Sequence, residues 1–356
     1  MTGLVNHRPV LAPSLARLPA LGAFTLFDVG ASRGIDEIWN VFGDALNAYG
    51  FEPLVAEVER LNATGGPHGK VRYFDAYIVR DADAHDDRAY ALTDLIPRTS
   101  AARAMHITGD RYVDERFSAG KKSVLSGNRY SIDEFVRREN VKKVDFLKTD
   151  TDGFDYSVLL GAEHTLRGGV LGVAAEVFFS LPPHREANLF SNVDAYLRDL
   201  GFTLYDLDVR RYSKAALPGK FRYNIPASTL RGQVVWADVL YLRDFVGRSG
   251  DTEPPTSEQL LKMLCLFELF GLNDCAIELL GAFTQLLPTG VDAEQLRSVL
   301  AEEASGIPDY ADYLRRFESA VAKGEYAAFP DGYVVRAEGY LMQNSAKPSE
   351  HTFRER

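Results

Sequence analysis

Three aspartates follow one another closely where an apolar run ends. The stretch KTDTDGFDY places Asp150, Asp152 and Asp155 directly after the run VDFL. A carboxylate is costly to remove from water, so this group at the mouth of a buried strand indicates a cleft that holds ligands. If the backbone stays extended beyond the strand, Asp150 and Asp152 project to the same side about 6 to 7 Å apart at Cα, close enough to share a cation or a proton.

Two kinds of chemistry suit these carboxylates. Asp150, or Glu176 at the end of the later run VLGVAAEVFF, could take the proton of a hydroxyl nucleophile as it attacks. Alternatively, Asp150 and Asp152 could bind Mg²⁺ or a similar hard cation, which would lower the pKa of that hydroxyl. Asp152 could instead only cap the helix that begins after Gly153. The histidines are weaker candidates: His184 lies in a predicted loop, and His106 and His164 have no partner at a recognisable spacing.

A glycine-containing turn follows the first predicted strand, in the stretch FDVGASRG. Its glycines, Gly30 and Gly34, allow a ligand to approach the backbone closely. A dinucleotide-binding fingerprint would need glycines at its first, third and sixth positions, but Ser32 and Ile35 occupy the third and sixth here. The turn therefore suits S-adenosylmethionine better than a dinucleotide, because S-adenosylmethionine has no phosphate and a looser glycine turn suffices for it. With this ligand, Asp28 is expected near the amino end of the methionine portion.

A second acidic position closes the next predicted strand, in the stretch FEP. Glu52 lies 22 positions after Gly30 and is followed by Pro53. A carboxylate at this place can accept hydrogen bonds from both ribose hydroxyls of a bound cofactor. Together with the glycine turn, it predicts the following cofactor-binding residues: Asp28, Gly30, Ala31, Ser32, Gly34, Glu52 and Pro53.

The elements that would position these residues alternate between strand-like and helix-like runs from Phe24 onward, which is typical of a parallel sheet covered by helices. Seven strand-like runs are present, and the last two lack a helical run between them. Parallel neighbours need a crossover, so the last strand is expected to be antiparallel. The predicted fold class is therefore α/β, a Rossmann-like seven-stranded sheet with its last strand reversed, as in class I S-adenosylmethionine-dependent methyltransferases.

The predicted domain organisation has four parts. Residues 1–20 form an N-terminal segment, and residues 21–246 form the catalytic domain, in which residues 80–130 are a long polar insertion resembling a cap or lid. Residues 250–345 contain four helix-like runs, read as an all-helical C-terminal unit, either a plain appendage or helical repeats. Residues 346–356 form a tail.

Composition limits the function classes. The chain has 356 residues with a net charge of −10, which argues against nucleic-acid binding because that requires clustered Lys and Arg. The two cysteines, Cys265 and Cys275, are expected to be free thiols in a reducing compartment. No apolar run reaches the length of a membrane span, so a cytoplasmic location without membrane association is expected.

Five stretches together resemble the FkbM family of methyltransferases: FDVGASRG, FEP, SIDEF, VDFLKTDTDGFDYSVLLGA and VVWADVLYLRD. The resemblance covers about Leu21 to Phe245. In the family's strand-end motif, Lys148, Asp150 and Gly153 match, whereas Asp152 stands where the family has glutamate. The resemblance implies S-adenosylmethionine-dependent O-methylation of a hydroxyl on a sugar, glycan or polyketide.

The sequence therefore predicts a methyltransferase in which Asp150, Asp152 and Glu176 serve a small-molecule or glycan acceptor. The C-terminal helices could mediate homo-oligomerisation or bind a partner protein. Two rival functions are an inactive methyltransferase-like scaffold that acts through those helices, and an NAD-linked oxidoreductase.

Overall fold

The computed structural model describes residues 8–65, 70–81, 124–180, 185–212, 232–247, 253–305 and 310–323. Nine strands occur in this part of the chain: β1 (Phe24–Val29), β2 (Leu46–Glu52), β3 (Lys70–Asp75), β4 (Tyr77–Ile78), β5 (Arg129–Tyr130), β6 (Phe146–Thr149), β7 (Gly172–Phe178), β8 (Phe202–Tyr212) and β9 (Gln233–Arg243).

The described α-helices are α1 (Ala12–Leu15), α2 (Val55–Thr64), α3 (Ile132–Arg138), α4 (Asp155–Leu160), α5 (Glu163–Arg167), α6 (Phe190–Asp199), α7 (Ser257–Leu269), α8 (Asn273–Phe283), α9 (Ala293–Ser305) and α10 (Tyr310–Ala322). Short 3₁₀ segments cover Pro19–Leu21, Glu37–Ala45 and Thr284–Leu286.

Seven of these strands form one sheet in the order β3-β2-β1-β6-β7-β9-β8. Strands β3, β2, β1, β6 and β7 are parallel neighbours, whereas β9 is antiparallel to both β7 and β8. The predicted fold class, with its reversed last strand, is confirmed. Because the order changes direction between β1 and β6, the carboxyl ends of these two strands flank a crevice where ligands bind in open α/β sheets.

One face of the sheet is apolar along its whole length. Alternate residues of the central strands, such as Phe27, Leu147, Val173 and Val239, pack with helices α3 to α6 into a single buried cluster. Strand residues alternate between the two faces. The intervening residues, including Asp28, therefore lie on the opposite face.

That opposite face is apolar at the amino ends of the central strands. Phe146 packs against Trp39 and Phe270 there, with ring centroids 4.8 and 5.8 Å away. A buried ion pair fixes helix α7 at the same end, because Lys262 Nζ lies 2.9 Å from Asp145 Oδ2. The carboxyl ends of the same strands carry polar side chains and are available for a site.

The chain divides into two compact units, Met1–Ala293 and Glu294–Arg356. The predicted boundary near residue 250 does not coincide with this division, because helices α7 and α8 lie within the first unit. Helix α7 also holds the N-terminal segment: Glu268 accepts hydrogen bonds from the backbone N–H groups of Leu11 and Ala12. Helix α7 is buried on nearly all sides, which explains its lack of a polar face.

The second unit contains the helical residues of α9 after Ala293 and all of α10. Within α10, the rings of Tyr313 and Phe317 stack at 6.2 Å. The predicted cap or lid lies almost wholly outside the described residues, as does the tail at 346–356. No helix in the described ranges is long and apolar enough to cross a membrane.

Three runs differ in detail from the elements that their sequence patterns predict. The run GIDEIWNVFGDAL at 34–46 has a helical pattern but forms a 3₁₀ segment interrupted at Gly43. The strand-like run KVRYFDAYIV is divided at Ala76 into β3 and β4, and the helix-like run YSVLLGAEHTLRGG is divided into α4 and α5. The run SIDEF has the pattern of a capping box, and its Ser131 hydroxyl accepts a hydrogen bond from Glu134 N–H.

Candidate active site

The glycine turn after β1 crosses the backbone after β6 at very short range. Gly30 adopts a φ of +84°, and a Cβ atom there would lie 1.9 Å from the carbonyl oxygen of Asp150. The N–H groups of Gly30 and Ala31 both donate to Phe51 O at the end of β2. The turn is thus held between two neighbouring strands, and only glycine fits at its first position.

An ion pair lies beneath this crossing. Asp28 and Lys148 are directly paired in the parallel ladder between β1 and β6, and Lys148 Nζ lies 2.9 Å from Asp28 Oδ1. Burial raises the pKa of Asp28, although the Lys148 charge opposes this shift. Burial alone would lower the pKa of Lys148, but the carboxylates of Asp28 and Asp150 outweigh burial and raise it. Lys148 therefore remains a cation at neutral pH.

A cavity of about 1300 Å³ opens over this pair. Six predicted site residues line it: Asp28, Gly30, Ser32, Gly34, Asp150 and Asp152. Its lining also includes Lys148, Tyr73 and parts of the 3₁₀ segment and helix α2. Four other predicted site residues, Ala31, Glu52, Pro53 and Glu176, lie outside this lining. The cavity is more than large enough for a small cofactor, since ligand pockets are typically about 300 to 1,000 Å³.

Glu52 is buried at the carboxyl end of β2, as predicted, but its carboxylate is turned toward its own backbone. Glu52 Oε1 accepts a hydrogen bond of 2.8 Å from Leu54 N–H at the start of helix α2. Burial raises its pKa, and this hydrogen bond opposes the increase. Segment 124–126 packs beside it, because Ser126 N–H donates to Pro53 O.

Tyr73 supports the glycine turn from below and was not recognised in the sequence. Its hydroxyl oxygen accepts a hydrogen bond of 3.0 Å from Ile35 N–H. Its ring lies against Gly50 of β2, where a Cβ atom would come within 2.5 Å of the ring. A tyrosine on a neighbouring strand therefore fixes the far end of the turn, and Gly50 leaves the room that this requires.

The expected arrangement of Asp150 and Asp152 is not observed. Asp152 has a φ of +53°, and Gly153 a φ of +113°, so the chain turns instead of remaining extended. Asp152 does not cap the following helix either, since residue Phe154 occupies the N-cap position. Nor do the described ranges contain a group of three or more His, Cys, Asp or Glu side chains placed to hold a metal ion. The metal-binding side chains of the described residues therefore do not support the hypothesis that Mg²⁺ binds here.

Asp155 lies away from the cavity and is fully buried. Its carboxylate accepts hydrogen bonds from the Thr151 hydroxyl, Glu176 N–H and the Asn188 side chain. Burial, together with the charge of Asp150, raises the pKa of Asp155 to about 6. It joins the end of β6 to the end of β7 and is a structural residue, so the expectation that all three aspartates line a cleft is wrong for this one.

Glu176 begins a row of acidic residues across three strands. It pairs directly with Asp238 on β9, which in turn pairs with Asp208 on β8. Arg210 contacts both aspartates: one guanidinium nitrogen lies 2.5 Å from Asp208 Oδ2 and the other 2.8 Å from Asp238 Oδ2. Burial, then the charges of Asp155 and Asp150, raise the pKa of Glu176 well above its usual value.

This row was missed in the sequence because strand pairing brings its members together. One signal was available: Asp238 interrupts the otherwise apolar run VVWADVLYL. Of the three candidate histidines, His164 is exposed on α5 and is not part of the cavity lining, while His106 and His184 lie outside the described residues. Both cysteines are free, as expected.

A comparison with known protein families identifies a domain in this chain. Residues 28–204 match the family model of the methyltransferase FkbM domain. No curated protein matches the sequence.

Similar solved structures include a TehB-like SAM-dependent methyltransferase from Corynebacterium glutamicum, with 8% identity, a TM-score of 0.26, and 65% of this chain and 87% of that chain covered. Another is a precorrin-6y C5,15-methyltransferase from Geobacter metallireducens, with 9% identity, a TM-score of 0.30, and 67% and 94% covered. A third is an arsenic(III) S-adenosylmethionine methyltransferase from Chlamydomonas reinhardtii, with 12% identity, a TM-score of 0.32, and 69% and 77% covered. These scores are too low to carry an argument about the site.

Proposed function

Residues 28–204 form a methyltransferase FkbM domain, and on that premise we propose that this S-adenosylmethionine-dependent enzyme methylates a hydroxyl group of a sugar, glycan or polyketide-type acceptor. The observation that carries the proposal is the cavity in which the glycine turn meets the buried carboxylate of Asp28 and the more exposed carboxylate of Asp150.

The residues of the cavity fit the cofactor. Gly30, Ser32 and Gly34 present bare or short side chains, which allow close approach to the backbone. Asp28 and Asp150 provide negative charge where a sulfonium and an ammonium group need it. Glu52 and Pro53 follow Phe51, the residue that anchors the glycine turn, so they are assigned to the ribose end of the cofactor.

Methyl transfer requires the acceptor oxygen, the methyl group and the sulfur in line. When bound, S-adenosylmethionine supplies the electrophilic methyl group. The protein contributes mainly by holding the acceptor in that geometry, which can provide a large part of the rate enhancement. Asp150 is placed for this role because it lines the cavity and keeps 46% of its side chain exposed.

Glu176 is assigned as the residue that takes the proton from the acceptor hydroxyl. Its raised pKa brings it closer to the pH at which it works, as an efficient general base requires. In the described part of the chain, its carboxylate makes no hydrogen bond or ion pair, so it is available for an acceptor. Asp152 lines the cavity together with Asp150 and is assigned to acceptor binding.

Calorimetric titration with S-adenosylmethionine and S-adenosylhomocysteine tests the cofactor assignment. We expect micromolar binding, weakened about tenfold in Glu52→Gln, because the variant retains an oxygen for Leu54 N–H but loses the charged acceptor for ribose hydroxyls. NADH binding without S-adenosylhomocysteine binding would contradict the proposal and favour an oxidoreductase. Absence of binding to either would favour a scaffold.

A further inference from the structure

Strand β6 ends before it reaches Glu176, and side chains take the place of the missing strand. The last pairing between β6 and β7 joins Lys148 to Ala174. Beyond that point, two buried side chains hold the backbone of Glu176. Asp155 Oδ1 accepts a hydrogen bond of 3.4 Å from Glu176 N–H, and Asn188 Nδ2 donates one of 2.9 Å to Glu176 O. The residue assigned to take the acceptor's proton is therefore held in place partly by Asp155.

Asp155 is itself firmly held. It is fully buried in the first turn of helix α4. Its second carboxylate oxygen, Oδ2, accepts hydrogen bonds of 3.1 Å from the Thr151 hydroxyl and 3.4 Å from the Asn188 side chain. A buried polar network with its hydrogen bonds satisfied is rigid. Because Thr151 directly follows Asp150, the Asp155 carboxylate joins Glu176 to the loop that carries Asp150.

The charge of Asp155 also acts on the Glu176 carboxylate. After burial, the charge of Asp155 is the largest cause that raises the pKa of Glu176, followed by the charges of Asp150, Asp152 and Asp238. Like charges nearby disfavour the ionised form of a carboxyl group. In the described part of the chain, Glu176 Oε1 is buried and accepts no hydrogen bond that would offset this effect.

The cations near this group contact other carboxylates. Lys148 Nζ lies 2.9 Å from Asp28 Oδ1 and 3.6 Å from Asp150 Oδ2, and Arg210 lies 2.8 Å from Asp238 Oδ2. The hydrogen-bond donors to Asp155 among the described residues are all uncharged. Burial raises the pKa of Asp155 to about 6, so it is ionised at pH 8 without a cation in direct contact.

We propose that Asp155 is the positioning residue of the proton-transfer step: it holds the backbone of Glu176 where strand pairing has ended, and it keeps a fixed negative charge near the carboxylate that takes the proton. This inference rests on the proposed function, which assigns Glu176 to that role. The acceptor hydroxyl gives its proton to Glu176 as its oxygen bonds to the methyl carbon and the bond from that carbon to sulfur breaks. Asp155 gains and loses no proton, and its charge makes Glu176 the stronger base.

The charge is tested by the titration of Glu176 in full-length protein saturated with S-adenosylhomocysteine. Carboxyl ¹³C NMR of protein labelled in its glutamate side chains follows the signal that is absent from Glu176→Gln. Asp155→Asn keeps an oxygen for Glu176 N–H and removes the charge, so we expect the titration midpoint of Glu176 to fall by about one pH unit or more. An unchanged midpoint in a folded Asp155→Asn protein would overturn the inference.

Thr151→Val is the matched control, because it disturbs the same hydrogen-bond network and leaves the charge of Asp155 in place. Its Glu176 midpoint should not fall. Equal decreases in Thr151→Val and Asp155→Asn would show that loosening of the network, and not the charge, lowers the midpoint, and would overturn the inference.

The hold on the backbone is tested by hydrogen exchange. Asp155→Ala removes the acceptor, so the Glu176 amide should exchange about tenfold faster relative to the Val173 amide of the same strand, whereas Asp155→Asn should leave that ratio near the wild-type value. A ratio unchanged in Asp155→Ala would contradict the hold. If neither variant folds, the wild type decides: its Glu176 signal should show a second step near pH 6, where Asp155 takes up a proton, and a single step would overturn the inference.

The two proposals fail separately. If S-adenosylhomocysteine does not bind to the wild type, the proposed function is wrong. If it binds and the Glu176 midpoint is the same in the wild type and in Asp155→Asn, only the role of Asp155 is wrong.

Discussion

Asp28 on β1 and Lys148 on β6 are paired across the switch point of the sheet, with Lys148 Nζ 2.9 Å from Asp28 Oδ1. The pair lies directly under the turn at Gly30, whose backbone touches that of Asp150. One largely buried cation thus contacts two carboxylates that line the cavity. It keeps their charges compatible with a folded protein when no ligand is bound.

Removing the cation should destabilise the protein in a pH-dependent way. In Lys148→Met, Asp28 is left buried without its counter-charge, and we expect a loss of about 3 kcal/mol in the free energy of unfolding at pH 8. The pKa of Asp28, already raised by burial, should rise further. A carboxyl whose pKa is raised in the folded state binds its proton more tightly there, so the variant should regain stability as the pH falls.

Urea denaturation of Lys148→Met at pH 5 and pH 8 measures this effect. The double variant Asp28→Asn/Lys148→Met serves as the control, because it removes both charges and should be more stable at pH 8 than the single variant. A loss of stability that is the same at both pH values would show that packing of the lysine stem, and not its charge, is responsible.

Glu176→Gln should separate catalysis from binding. We expect the rate of methyl transfer to fall about 10²- to 10⁴-fold because the proton acceptor is lost, while S-adenosylhomocysteine binds as in the wild type. Exposed Glu59 provides the matched control, Glu59→Gln, with unchanged turnover. Full activity in Glu176→Gln would remove Glu176 from the proposed mechanism.

The same substitution has a consequence for stability. The pKa of Glu176 is raised in the folded state, so the wild-type protein gains stability from this group as the pH falls through that pKa, and loses it as the pH rises. Glu176→Gln should abolish that contribution and make the protein more stable than the wild type at pH 8. Thermal unfolding at pH 6 and pH 8 measures the difference.

A Cβ atom at Gly30 would meet the backbone of Asp150. Gly30→Ala is therefore expected to lose more than about 3 kcal/mol of stability, from the left-handed backbone and the clash together, and to lose cofactor binding. Gly290 has a similar φ of +90° with no atom within 4 Å of an added Cβ, so Gly290→Ala should lose only about 1 kcal/mol. Similar losses in the two variants, measured by urea denaturation, would contradict the crossing of the two backbones.

Tyr73→Phe tests the support beneath the glycine turn. The variant keeps the ring against Gly50 but leaves Ile35 N–H without its acceptor, a loss of about 1 to 3 kcal/mol for a buried donor. We expect weaker S-adenosylhomocysteine binding with little change in the fold, measured by calorimetry and circular dichroism. Unchanged affinity would show that the turn is held by Phe51 O alone.

Much of this arrangement could be predicted from local sequence. The alternation of strand and helix runs, and the absence of a helical run before the last strand, correctly indicated the sheet and its reversed strand. The motifs around Gly30 and Asp150 were both predicted to contribute to a site, and residues of both line one cavity in the structure. These features depend on residues that are close together in the chain, so the local sequence pattern indicates them.

Features that depend on long-range pairing were not recovered. The partners of Arg210 lie on two strands, one of them 28 residues away, and nothing local indicates that Asp208 and Asp238 would share it. The turn at Asp152 was missed because a non-glycine residue with positive φ has a weak signature. The run around Lys262 did carry a usable signal, since a helix that is apolar on all sides is normally buried.

That helix leads to a prediction about where the chain can be shortened. A protein ending at residue 247 lacks helix α7, which exposes Trp39 and Phe146, leaves Asp145 without Lys262, and removes the carboxylate that caps α1. We expect this protein to aggregate or unfold, because exposed apolar patches of this kind are not tolerated in a soluble monomer.

A protein ending at residue 293 keeps the whole first unit and should unfold cooperatively near the wild-type temperature. Size-exclusion chromatography and thermal denaturation compare the two truncated proteins. A stable, monomeric protein ending at residue 247 would show that helix α7 and the helices after it are a separate appendage.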